Sequence, residues 1–199
     1  MFGVANAAWV LVIVAAVALW RLVPVLVVLA PLLALPTSAL MRLAVVTARN
    51  DAPAWRHVRH ELGRLVPRKL LLATVQILLS LMGIANVGLG LATGGVLGTI
   101  TGLVAFYVLL VVSLYAVALW PIVVDPVQEA PLRQQLRIAT ALILTRTLRL
   151  VVLLVLTTLA AIICVQLIIP ALFLPSLVML AIAAYVVPQA DRVPLGPRP

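Results

Sequence analysis

Residues 88–102 read GLGLATGGVLGTITG, with Gly90, Gly94, Gly98 and Gly102 at every fourth position. On one continuous helix that spacing would lay four glycines along a single face, a surface suited to close helix packing. The alternative is a turn, because glycine enters left-handed backbone without steric cost. The flanking sequence decides between them. The stretch lies at the centre of a run from Leu70 to Val124, 55 residues without a charge. A spanning helix needs about 20 apolar residues to cross the hydrocarbon core. The run therefore holds two spans with about 15 residues between them, and those are residues 88–102. Gly90 to Gly95 are expected to make the reversal, leaving Gly98 and Gly102 for close packing at the start of the next span.

Composition agrees with a lipid solvent. Hydrophobic residues make up 65% of the chain and charged residues 10%, with a mean hydropathy of +1.29, where a soluble domain is about 45–50% apolar and about 25% charged. Met1 to Trp20 and Leu22 to Met41 are charge-free and separated only by Arg21, and Leu150 to Ala190 adds 41 more uncharged residues. The expected fold is an all-α integral membrane helical bundle of about six spans in three hairpins. The spans fall at roughly 4–30, 33–48, 68–89, 99–120, 148–167 and 172–188 within a single membrane domain, 1–190, and 191–199 form a disordered tail. The count falls to four or five if the first or last hairpin does not fully cross.

Cations orient the bundle, since Lys and Arg in short loops stay on the cytoplasmic side. Arg42 to Lys69 holds seven of them and Pro121 to Arg149 four more, whereas the connections near 31–36, 88–98 and 167–175 hold none. Both termini and both basic segments are expected to be cytoplasmic. The net charge of +9 raises nucleic acid as a partner. Thirteen of the fourteen cations already fall where topology puts them, and no nucleic-acid motif accompanies them. Anionic lipid headgroups are the expected partner instead.

The basic segments carry helical patterns of their own. In residues 50–69, NDAPAWRHVRHELGRLVPRK, Asp51 suits a helix cap and Pro53 a first turn. Trp55, Val58, Leu62 and Leu65 then share a face, with Arg56, Arg59, His60 and Arg64 on the rest. An amphipathic surface helix is expected over 53–65, with Trp55 at the interface. Over 130–145, Leu132, Leu136, Ala139 and Ile143 make a second apolar stripe while Arg133, Gln134, Gln135 and Arg137 face out. A shift of 78 residues aligns Ala52-Pro53 with Ala130-Pro131, Arg59 with Arg137, Arg68 with Arg146 and Leu72 with Leu150, as a duplicated unit of surface helix plus hairpin would.

Asn6 and Trp9 in the first hairpin lead to Pro36-Thr37-Ser38-Ala39-Leu40-Met41, which resembles the Pro-Ala-Thr-Ala-Ala-Leu type motif of the YesL-like family of bacterial membrane proteins. The basic helix bearing Trp55 and the stretch LYAVALWPIVVD, residues 114–125 with Trp120 and Pro121, are similar to that family's later features, and the similarity covers roughly residues 5–185. The Gly that the family places just before the position of Pro36 is missing. The resemblance implies a multi-pass membrane protein of undefined activity, often encoded near carbohydrate ABC transporter genes, whose permease subunits become candidate partners. It transfers no catalytic residue.

Arg21 is the one cation that topology does not explain. If the first span runs to about residue 30 it lies within the membrane, where a charge costs about 2.5–3.5 kcal/mol and faces a polar interior; if the chain turns near Trp20 to Pro24 it is an outer-interface residue. His57 and His60, three apart beside Glu61, match neither zincin order and lack a third ligand. Cys164 is alone, so no internal disulfide forms. Gln76, Ser80, Asn86, Ser113, Thr157, Thr158 and Gln166 are expected to bond between helices. No Asp, Glu or His lies in 70–120 or 150–187, which disfavours a proton-driven pump, and no triad or phosphate loop can be assembled. The expectation is a non-catalytic accessory or regulatory protein without cofactor or metal, with candidate functional residues Arg21, Pro36, Trp55, Trp120 and Pro121. A small solute transporter or channel with Arg21 in its path is the alternative.

Overall fold

A computed structural model describes residues 2–22, 24–64, 66–127, 130–166 and 173–193, without side chains for 19–28, 165 and 166. In chain order these are α1 (Phe2–Leu22), a 3-10 segment (Pro24–Leu33), α2 (Ala34–Ala48), α3 (Trp55–Gly63), α4 (Val66–Thr93), α5 (Gly95–Val124), α6 (Leu132–Gln166) and α7 (Leu174–Ala190). Leu29–Ala48, Val66–Thr93, Gly95–Val124 and Leu132–Cys164 are long and apolar enough to cross a bilayer, and Phe2–Ala18 and Leu174–Ala190 are shorter apolar helices. The protein is an all-α helical membrane protein.

The glycine stretch is both a turn and a seam. Helix α4 continues through Gly90 to Thr93, and the reversal is confined to Gly94 and Gly95, at φ 62° and 65°. A Cβ on Gly90 would lie 2.6 Å from the Gly98 carbonyl oxygen and 2.7 Å from the Gly102 nitrogen. Gly90 therefore does not belong to the turn, contrary to the expectation that Gly90 to Gly95 make the reversal. It is the α4 half of a three-glycine contact across the hairpin. A two-residue loop leaves the emerging helices so close that backbone meets backbone. Gly90→Leu is expected to force the outer halves of α4 and α5 apart at a cost of about 1–3 kcal/mol. Spin labels at Leu89 and Leu103, both exposed, would report the increased separation.

The first hairpin turns earlier than expected. Helix α1 stops at Leu22, where a span to residue 30 was expected, and the second span begins at Leu29, ahead of 33. Pro24 and Pro31 account for the shift, since proline supplies no N–H to an α-helical ladder.

Helix α6 is a single 35-residue run with non-helical backbone at Arg146 (φ −134°, ψ 27°). The bend falls between the expected surface helix, 130–145, and the expected span, 148–167. The first limb is not a surface helix, however. Ile138, Ala139 and Leu142 enter the core and Gln135, expected to face out, is buried. Helix α3 is shorter than the expected 53–65 and does remain peripheral, with Trp55 and Leu62 exposed. The two aligned segments thus share a helix-bend-span order and differ in which limb is covered.

The core lies at one end of the bundle, where α2, α5 and α7 finish and α6 begins. Met41, Ala44 and Val45 of α2, Ala118, Ile122 and Val123 of α5, Ile138 and Ala139 of α6, and Ala183 and Val186 of α7 form it. Toward the other end α4 and α5 present Leu91, Val96 and Leu97 outward, as helices solvated by acyl chains do. Residues 167–172, where the outer connection of the last hairpin was expected, and 194–199 of the expected tail lie outside the described residues.

Candidate functional site

The closed end of the bundle is also its polar end. Helix C-termini carry unsatisfied carbonyls and the negative pole of the helix dipole, and three such ends converge there. Cations on α2 meet them. Arg42 Nη1 donates to the carbonyl of Val124, the last residue of α5, at 2.6 Å. Arg49, just past α2, grips Asp125 in a fork, Nε to Oδ1 at 2.9 Å and Nη2 to Oδ2 at 2.5 Å. The same guanidinium reaches Asp191 at the end of α7, at 3.2 and 3.1 Å. Asp125 is buried and also accepts the Val127 N–H at 3.0 Å. Hydrogen bonding to Asp125 outweighs burial, and with Asp191 holds the Arg49 guanidinium above its ordinary pKa.

A second cluster joins α3, α4 and α6. Lys69 Nζ lies 2.7 Å from Glu61 Oε1 and donates to the Glu61 backbone carbonyl at 2.5 Å, with both side chains fully buried. Arg64 Nη1 is 3.6 Å from Glu61 Oε2. Beside Lys69 in the sequence of α4, Arg68 Nη2 donates to Gln135 Oε1 at 2.5 Å, and both Nη atoms lean toward the Ala130 carbonyl at 3.4 and 3.5 Å.

Below this cluster a crevice of about 340 Å³ opens between α4, α5 and the first limb of α6. Leu72, Val75 and Leu79 line one wall, Val111, Val112 and Ala116 the other, with Leu136 from α6. Two hydrogen bonds tie its polar side chains. Trp120 Nε1 donates to Gln76 Oε1 at 2.9 Å, and the Tyr115 hydroxyl is paired with Thr140 Oγ1 at 2.7 Å.

Of the residues singled out from sequence, Trp120 lines this crevice and Pro121 is buried beside it in the last turns of α5. Pro36 lies elsewhere, in the first turn of α2. There the polar residues of its motif serve packing: Thr37 Oγ1 accepts from Trp9 Nε1 at 3.0 Å and donates to the Leu33 carbonyl at 2.7 Å. Trp55 is exposed on α3. Arg21 sits in the last turn of α1, the course in which the chain turns near Pro24, and its side chain lies outside the described residues. Of the intraspan polar residues, Gln76 bonds between helices, whereas Asn86, Thr157 and Thr158 donate to carbonyls of their own helices.

Asp51 does not cap α3. The cap position is Ala54, in extended backbone, and its N–H is accepted by His57 Nδ1 at 3.1 Å. Among the described residues no group of three His, Cys, Asp or Glu side chains is placed to hold a metal. Burial first, then Arg56 and Arg42, hold the His57 imidazole below its usual 6.5. A depressed value means that the cap's contribution is complete above about 6.5 and is lost as pH falls through the lower folded-state value. Protection of the Ala54 and His57 amides, measured by hydrogen exchange, is expected to fall across that window and to be pH-independent there in His57→Asn.

No protein-family model matches the chain, and no curated protein or solved structure is found to be similar to it. The site is therefore interpreted on its own chemistry. Arg49, Asp125, Asp191, Glu61 and Lys69 form its polar framework, and none of them stood out in the sequence. Their one trace there is scarcity: the chain has five acids, and three of them are consumed in these pairs.

Proposed function

We propose that this chain is a non-catalytic accessory or regulatory membrane protein of a bacterial plasma membrane, crossing it six times in three hairpins. The basic end and both termini lie in the cytoplasm, where Lys and Arg concentrate. The observation that carries the functional reading is the use of the polar inventory. Arg42, Arg49, Lys69, Glu61 and Asp125 are bonded to one another or to helix ends, and aliphatic side chains fill the space between them. Such an interior supports a rigid scaffold that presents outer faces to other helices. It offers little to a hydrated solute, and the crevice is lined mainly by aliphatic side chains, with Trp120 bonded to Gln76 and Tyr115 to Thr140.

The partner class is a permease subunit of a carbohydrate ABC transporter, as the motifs around Pro36 and Trp120 imply by resemblance. Co-purification in mild detergent followed by mass spectrometry tests this. Recovery of a permease with the chain is expected. A solitary protein that moves solute across vesicle membranes would establish the transporter reading in its place.

A further inference from the structure

Arg68, Leu72, Val75, Gln76 and Leu79 fall on one face of α4, because positions separated by four, seven, eight and eleven residues recur within a third of a turn. The last four line the crevice and Arg68 stands one turn above it, toward the basic end. Gln135, which accepts from Arg68, is the neighbour of Leu136 in the crevice wall. Among the described residues no carboxylate pairs with Arg68, and its buried Nε–H finds no acceptor. Arg49, Arg64 and Lys69 each face an acid, and Arg42 is spent on the carbonyl that ends α5.

An apolar slot with a guanidinium near its mouth that no carboxylate among the described residues meets has the layout of a lipid: chain below, headgroup above. Helical side chains lean toward the N-terminus of their helix, so Arg68 projects from α4 toward headgroup depth. The volume, about 340 Å³, lies at the small end of the roughly 300–1,000 Å³ of ligand sites. Trp120 Nε1 and the Tyr115 hydroxyl are already bonded, to Gln76 Oε1 and Thr140 Oγ1, and the rest of the lining is aliphatic.

We propose that this crevice binds one acyl chain of an anionic phospholipid, whose phosphate is held by Arg68 at the rim. The site presupposes the membrane placement above but not the accessory role, so either can fail alone. Arg68 donates its outer Nη protons to the phosphate, a charge-assisted contact stronger than one to a neutral amide.

The test is native mass spectrometry of the full chain released from micelles holding equal phosphatidylglycerol and phosphatidylcholine. Wild type is expected to retain one lipid, with phosphatidylglycerol favoured roughly tenfold, the scale of one charged hydrogen bond. Arg68→Gln should lose the preference, Arg68→Lys should keep most of it, and Ala116→Phe, which fills the slot, should lose the retained lipid altogether. Unchanged preference in Arg68→Gln, or unchanged retention in Ala116→Phe, overturns the proposal. So does displacement of the lipid by excess inorganic phosphate, which would make this an anion site without a chain. If Arg68→Gln fails to fold, Arg68→Lys and Ala116→Phe decide between the same outcomes.

Discussion

Asp125→Ala is expected to destabilise the bundle by about 3 kcal/mol, the lower end of the cost of breaking a buried ion pair. Asp125 is 1% exposed and takes both arms of the Arg49 fork, so its loss strands a guanidinium among helix ends. The cost stays at the lower end because Arg49 is 18% exposed and keeps Asp191. The thermal midpoint in detergent reports the loss. Arg49 ties the ends of α2, α5 and α7, and so the effect should be global, with all three helices losing protection together. The decisive comparison is with Arg49→Met. If the pair is the cause, Asp125→Ala costs much less in that background; an equal cost in both would place the effect in the Val127 turn that Asp125 also caps.

The second large effect is local. Glu61→Ala leaves Lys69 buried with its charge unmet, at a cost of about 3–5 kcal/mol. Here neither partner is exposed, so water cannot relieve the orphan. The expected result is undocking of α3, seen as lost amide protection over Trp55–Gly63 while α4 and α5 stay protected. Lys69 would then regain water at the membrane surface. Replacing both partners, Glu61→Leu with Lys69→Met, removes the desolvation cost as well as the attraction and is expected to return stability to wild type or above it. A double variant as unstable as the single one would show that the pair is not what holds α3.

These two clusters were the least legible features of the sequence. Arg49, Arg64 and Lys69 were counted among loop cations whose positions topology explained, and a count does not distinguish a solvated cation from one gripped by Asp125 or Glu61. Gln135 was assigned outward from the periodicity of α6, yet it is buried. Of the expected stripe of Leu132, Leu136, Ala139 and Ile143, Ala139 enters the core and Leu136 and Ile143 pack against it. The limb is covered on more than that face, because α5 and α7 close over it. Near Pro36 and at Trp120 the aromatic residues bond across helices, Trp9 to Thr37 and Trp120 to Gln76.

Charge-free length and the placement of cations determined by themselves that this is an all-helical membrane protein, that residues 88–102 contain a reversal, and that a break falls near Arg146. These follow from the bilayer's thickness and from backbone chemistry, which act on each segment separately. Only the tertiary structure decided that Gly90 packs on Gly98 and Gly102, that α3 stays outside while the first limb of α6 goes in, and that Arg49 meets Asp125 and Asp191 across 76 and 142 residues of chain. Those outcomes depend on which helix ends converge, and one segment's pattern carries no record of the distant ends that will cover it.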